Sequence, residues 1–138
     1  MANTPSNMLA LGTVAPAFNL LDTVSDTYLS LDNLKGAQGT VIMFISNHCP
    51  FVLHVNQQLV AIANQYAEKG IAFVAISSND VINYPQDGPK HMKLQAEKEQ
   101  YPFPYLYDES QDIAKAYDAA CTPDIYLFDA DFKLVYRG

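Results

Sequence analysis

Two apolar runs dominate the pattern of hydrophobic and polar positions along the chain. Residues 40–45 read Thr-Val-Ile-Met-Phe-Ile and residues 71–76 read Ile-Ala-Phe-Val-Ala-Ile. Continuous runs of this length suit strands buried on both faces. Between them Val52, Val55, Leu59, Ile62, Ala63 and Tyr66 recur at three- and four-residue steps, which predicts a helix with those side chains turned inward. Pro50 suits the first position of that helix, where a missing N–H costs nothing, and Gly70 suits its C-terminal cap. Strand, helix and strand over these lengths predict a right-handed parallel βαβ unit.

Weaker patterns flank that unit. Residues 1–8 are polar and read as flexible. Residues 11–20 and 27–31 are short alternating runs with a polar turn between them, predicting a β-hairpin. Residues 32–36, Asp-Asn-Leu-Lys-Gly, read as one helical turn stopped by glycine. A polar loop over 77–88 precedes helix formers at 89–100. Residues 102–107 form a short extended segment, whose prolines point to a sheet edge or a loop entry. Residues 108–119 predict a second amphipathic helix with Ile113, Ala114 and Tyr117 inward. Residues 124–129 and 132–136 predict an antiparallel hairpin around Ala130-Asp131. The whole reads as a single α/β domain over 1–138, a central mixed sheet flanked by helices. With helices on one face only, the other face would be an apolar surface at the end of this chain. Either a C-terminal helix is missing from the chain or something else covers that face.

Composition narrows the function. Apolar residues make up 49% of the 138 positions, ample for a core, and no run is long enough to span a bilayer. The formal net charge of −7 argues against a nucleic-acid or anionic-membrane surface, either of which needs a basic patch. The first residues lack the basic and apolar regions of a signal peptide, so a cytoplasmic location is expected, a removed leader aside. Two cysteines, Cys49 and Cys121, do not make a disulfide scaffold in a chain of this size. In a reducing compartment such a pair points to catalysis or redox sensing.

The chemistry concentrates at residues 46–52, Ser-Asn-His-Cys-Pro-Phe-Val. Here an apolar strand stops and a helix begins. That junction exposes a thiol to the positive end of the helix dipole and to unpaired backbone N–H groups, both of which favour the thiolate. A free cysteine often acts only as a small buried hydrophobe; the position of Cys49, before proline and beside a histidine, reverses that reading. His48 either lowers the thiol pKa as an imidazolium or only shapes the docking surface. His54 reads as a structural residue on the helix. Histidine and cysteine are also zinc-ligand types, and His48, Cys49, His54, His91 and Cys121 supply them. No Cys-x-x-Cys or His-x-x-x-His spacing accompanies them, and no metal or cofactor is expected. Asp108, Glu109 and Asp112 read as the acidic start of a helix.

Four fragments carry a family resemblance: Leu-Gly-Thr-Val-Ala-Pro-Ala-Phe at 11–18, Leu-Asp-Asn-Leu-Lys-Gly at 31–36, Asn-His-Cys-Pro-Phe-Val at 47–52, and Thr-Pro-Asp-Ile-Tyr-Leu-Phe-Asp at 122–129. In this order and spacing the chain resembles the redoxin branch of the thioredoxin-like proteins, the AhpC/TSA or peroxiredoxin-like group. The resemblance implies a thioredoxin fold with an N-terminal hairpin extension. It implies Cys49 as nucleophile. The second cysteine of the thioredoxin Cys-x-x-Cys frame is replaced by Val52, which cannot resolve a mixed disulfide. Pro123 matches the proline that faces the thioredoxin active site as a cis residue. The fold would bring Cys121 towards Cys49, although 72 positions separate them, and Cys121 is expected to take the resolving role or else to pack in the core. A disulfide needs Cα atoms within roughly 7 Å. His48, Pro50, Phe51, Thr122 and Pro123 are the expected partner-binding residues.

Peroxiredoxins add a proline and a hydroxyl ahead of the thiol and an arginine across from it. Ser46 stands at the hydroxyl position, Ile42 replaces the proline, and Arg137, the only arginine, lies past the hairpin turn, too far from Pro123 to serve. Without that cation much of the transition-state stabilisation for peroxide reduction is lost. The expected activity is thiol–disulfide exchange with a protein or small-molecule disulfide and an upstream thiol reductant. A thiol peroxidase and a non-catalytic binding module are the alternatives.

Overall fold

The computed structural model describes residues 10–45, 50–78, 88–117 and 124–137, with the side chains of the first long helix described from Gln57 onward. Seven strands form one mixed sheet: β1 (Asn19–Asp22), β2 (Thr27–Ser30), β3 (Gly39–Phe44), β4 (Ile71–Ser77), β5 (Tyr105–Tyr107), β6 (Asp124–Asp129) and β7 (Leu134–Arg137). Among the described residues three helices accompany them: α1 (Pro50–Ala67), α2 (Pro89–Glu99) and α3 (Asp112–Ala116), with a 3-10 turn at Asp32–Leu34. The spatial order is β2-β1-β5-β4-β3-β6-β7.

The βαβ unit forms as its pattern predicts. β3 runs parallel to β4, and all six of its residues are buried. α1 connects the two, and Gly70, at φ +80°, ends it in the left-handed conformation that glycine adopts without strain. β6 lies antiparallel on the other side of β3.

Alternation along the strands divides the core in two. On one face Val41, Met43 and Ile45 meet Leu59 and Ala63 of α1 and Met92 and Ala96 of α2. On the other, Ile42, Phe44, Val74, Ile76, Tyr126 and Phe128 meet Phe18, Leu31 and Tyr117, with Ile113 and Ala114 of α3 packed against them. Helices therefore flank both faces of the mixed sheet. An apolar groove of about 430 Å³ stays open beside α1, lined by Val41, Met43, Ile62, Tyr66, Leu127 and Tyr136 among others. Ile62 and Tyr66, expected to face inward, are exposed on its rim at 43% and 38%. Their helical stripe is wider than the sheet surface available to it.

Three other expectations change or narrow. The first hairpin strand is displaced to Asn19–Asp22, since residues 12–15 bond to the turn and start of β7 instead: Gly12 N–H to the Leu134 carbonyl at 2.7 Å and Ala15 N–H to that of Phe132 at 2.8 Å. Of the two readings of 102–107, a loop entry rather than an edge is found. β5 lies between β4, parallel, and β1, antiparallel. Its prolines precede the strand, and the Pro104 carbonyl accepts the Ala75 N–H at 3.0 Å, so no donor is missing from the ladder itself. The helix expected over 108–119 is confined to Asp112–Ala116 among the described residues.

Candidate active site

One edge of the sheet gathers the ends that matter. β3, β4 and β5 are mutually parallel and finish there, and β6, antiparallel, begins there. Phe44, the last residue of β3, is directly paired with Asp124, the first of β6. Ile45 N–H then donates to the Ile76 carbonyl at 3.0 Å, extending β3 along β4 by one residue. Cys49 is five residues beyond Phe44 in sequence and Cys121 three before Asp124, so the chain segments that carry them join adjacent strands at this one edge. Ser46, His48, Cys49, Cys121, Thr122 and Pro123 lie outside the described residues, as does Val52 beyond its place in α1; for Pro50 and Phe51 the helical backbone is described and the side chains are not.

Immediately behind that edge sits a polar group of a kind that hydrophobic cores exclude unless it is paired. Asp124, Tyr126 and Phe128 alternate inward along β6, all nearly fully buried. Arg137 is paired across from Tyr126 in β7. Its guanidinium donates to both oxygens of Asp124, Nη2 to Oδ2 at 2.8 Å and Nε to Oδ1 at 3.3 Å, and both side chains are only 1% exposed. It also lies over the Tyr126 ring, 4.8 Å from the centroid, a cation–π contact. Strand pairing thus folds the hairpin back and brings the Arg137 charge to Asp124, the residue that follows Pro123 in sequence; Pro123 itself lies outside the described residues. A bidentate pair buried in this way is costly to break from one side only.

Aromatic hydroxyls extend the network. Tyr126 donates to the Tyr117 carbonyl at 2.7 Å, and Tyr117 to the Pro16 carbonyl at 2.6 Å. The Tyr117 ring packs edge-on against Tyr126 and Phe128 and tilted against Phe44. Burial, with a smaller push from Tyr126, holds the Tyr117 phenol well above its usual pKa, so it is neutral at any physiological pH.

At the carboxyl ends of β4 and β5, Asp108 is 1% exposed. Its Oδ2 accepts Ser78 Oγ at 2.7 Å and the backbone N–H groups of Ile113 and Ala114 at 3.1 and 3.0 Å. This acidic group does start a helix, as its composition suggests, and it also ties the end of β4 to α3. His91 is exposed on α2, and His54 falls in the part of α1 whose side chains are not described. Among the described residues no group of three or more His, Cys, Asp or Glu could hold a metal ion, and no helix is long and apolar enough to cross a membrane.

Sequence reasoning missed the Asp124–Tyr126–Arg137 cluster. A signal was present: alternation in Asp-Ile-Tyr-Leu-Phe-Asp puts Asp124 on the same inward face as Tyr126 and Phe128, and a buried carboxylate requires a cation.

A parallel βαβ unit joined to an antiparallel hairpin, with an N-terminal hairpin added at the far edge, defines a thioredoxin-like fold of redoxin type. The thioredoxin domain of a thiol–disulfide oxidoreductase from Bacteroides vulgatus has this fold, with a TM-score of 0.79 at 22% identity over 94% of this chain and 89% of that one. The chain belongs to the AhpC/TSA family, whose model matches residues 11–137. It is similar over 96% of its length to two solved bacterial proteins. One is an uncharacterized conserved protein from Geobacillus kaustophilus, at 58% identity and a TM-score of 0.95, of which 70% is covered. The other is a hypothetical protein from Sinorhizobium meliloti, at 42% identity and a TM-score of 0.93, of which 72% is covered. No curated protein matches the chain.

Proposed function

We propose that the protein is a thiol–disulfide oxidoreductase with Cys49 as nucleophile and Cys121 as resolving thiol. The observation that carries this reading is the register of β3 and β6: Phe44 opposite Asp124 means that both cysteine-bearing segments leave one edge of the sheet from neighbouring strands. In the first step the Cys49 thiolate attacks one sulfur of a partner disulfide. A mixed disulfide forms and one partner thiolate leaves. The Cys121 thiolate then attacks Cys49 Sγ, which forms the internal disulfide and releases the second partner thiolate. The partner gains two electrons, and an upstream thiol reductant restores the dithiol. His48, Pro50, Phe51, Thr122 and Pro123 line the groove where the partner docks. A reducing compartment such as the cytoplasm suits this cycle.

Membership of the AhpC/TSA family and the place of Arg137 favour a second reading, a thiol peroxidase. Against it, Ile42 stands where peroxiredoxins carry their proline, and Nε and Nη2 of Arg137 are engaged by Asp124. Insulin-disulfide reduction and peroxide consumption separate the two. The exchange reading requires turnover of insulin that is lost in Cys49→Ser, and a trapped mixed disulfide in Cys121→Ser. Consumption of peroxide without insulin reduction replaces it with the peroxidase. Neither activity, with Cys49→Ser indistinguishable from the unaltered protein, leaves a binding module.

A further inference from the structure

Exchange chemistry as written makes no use of the buried polar residues behind the sheet edge, yet their arrangement bears on it. Tyr117 is the last described residue before positions 118–123, and Asp124 is the first after them. The Tyr126 hydroxyl reaches both ends of that six-residue span: it is 2.7 Å from the Tyr117 carbonyl and 3.4 Å from Asp124 Oδ2. A phenol has one proton to donate. The short contact takes it, and the long one is too stretched to be a strong O–H···O bond. Arg137 fixes the Asp124 end through both carboxylate oxygens while resting on the Tyr126 ring. Tyr117 is fixed in turn through its hydroxyl on Pro16 and through its ring on Phe44 and Phe128. One side chain thus couples the exit from α3 to the entry into β6.

We infer that Tyr126 is a positioning residue for the resolving step, its hydroxyl tying the Tyr117 end of the span that carries Cys121 to β6, where Arg137 holds the Asp124 end. The inference rests on the exchange reading above, in which Cys121 attacks the Cys49 mixed disulfide. The clasp acts on where Cys121 sits and leaves the reactivity of Cys49 alone, so it separates the two steps of the cycle.

Tyr126→Phe tests this, since it deletes the hydroxyl and keeps the ring against Phe44 and Tyr117, at 5.7 and 5.6 Å. Reduced protein is mixed with oxidised glutathione and followed by intact mass. Glutathione adds to Cys49 at the unaltered rate, and closure to the internal disulfide slows about fivefold, the equivalent of one net hydrogen bond. In the reduced variant, iodoacetamide alkylation of Cys121 changes several-fold and that of Cys49 does not. Leu134→Val, a core change on the same face opposite Phe128 that removes no hydrogen bond of the clasp, supplies a control for lost stability. Equal closure rates in Tyr126→Phe and the unaltered protein overturn the inference, and so does equal slowing in Leu134→Val. If the unaltered protein forms no internal disulfide, the exchange reading fails by itself. Cys121 alkylation then decides the clasp: a changed rate supports it, and equal rates overturn it.

Discussion

The two faces of the sheet solve the same packing problem differently. The face under α1 and α2 is covered by Leu59, Ala63, Met92 and Ala96 over Val41, Met43 and Ile45, with Phe103 and Tyr105 buried beside them and Tyr101 stacked on Phe103. It retains an open apolar groove beside α1. The face under α3 and the N-terminal segment is built of aromatic rings whose hydroxyls are all committed to named carbonyls, and it encloses a buried ion pair. Dispersion holds elements together without fixing them to fractions of an ångström. Directional bonds do fix them, and here they bind the residues on either side of the Cys121 segment. The face with the ion pair holds the residues that flank the Cys121 segment, and the other keeps an apolar groove.

The sharpest way to break that contrast is Arg137→Ala. It strands the Asp124 carboxylate in the core and should cost about 3–5 kcal/mol in urea unfolding. Replacing both partners, Asp124→Leu with Arg137→Met, should recover much of that loss. A single change costing under about 1 kcal/mol, as at a surface pair, would erase the distinction between the faces. On the other side, Leu59→Ala should cost about 2 kcal/mol, the low end for such truncations, because the site borders a groove that can partly collapse; a loss near the high end would mean that this face is packed as rigidly as the first.

Alkaline titration sharpens the comparison further. The folded pKa of Tyr117 is raised above the usual phenol value of about 10, so the stabilising contribution is complete below that pH. Above it the unfolded phenol ionises while the folded one stays protonated, and stability falls by about 1.4 kcal/mol per pH unit. Tyr117→Phe should remove this slope in unfolding midpoints measured above pH 10. The smallest effect is expected at the groove rim. Ile62→Gln should shift stability by no more than about 0.5 kcal/mol while lowering binding of a hydrophobic dye. A large loss would show that Ile62 belongs to the core its periodicity predicts.

Local signals identified most of the elements. β3, α1 and β4 follow from a run, a three-and-four spacing and a run, and the hairpin of β6 and β7 from two runs around a polar turn. The errors lie where partners decide. The prolines of residues 102–107 read as an edge or a loop entry, and only pairing decided for the entry: they fall just before the strand and leave β5 free to pair on both sides. Residues 12–15 alternate like a strand, yet they bond to the turn and start of β7 rather than to β2. Of the candidate site, the junction before Pro50 was legible from sequence, whereas Arg137 read as too distant because distance along the chain says nothing about a hairpin folding back.

What the sequence determined by itself is the set of elements and the position of a thiol between a buried strand and a helix, because both depend on neighbours within one or two turns of chain. Only the tertiary structure decided that Phe44 faces Asp124 across two strands and that Arg137 neutralises Asp124 behind the sheet edge. It also decided that Tyr126 touches both ends of the span holding Cys121. Each of these is a pairing of residues remote in sequence or on different strands, fixed by ladder register and by the demand that buried charges and hydroxyls find partners.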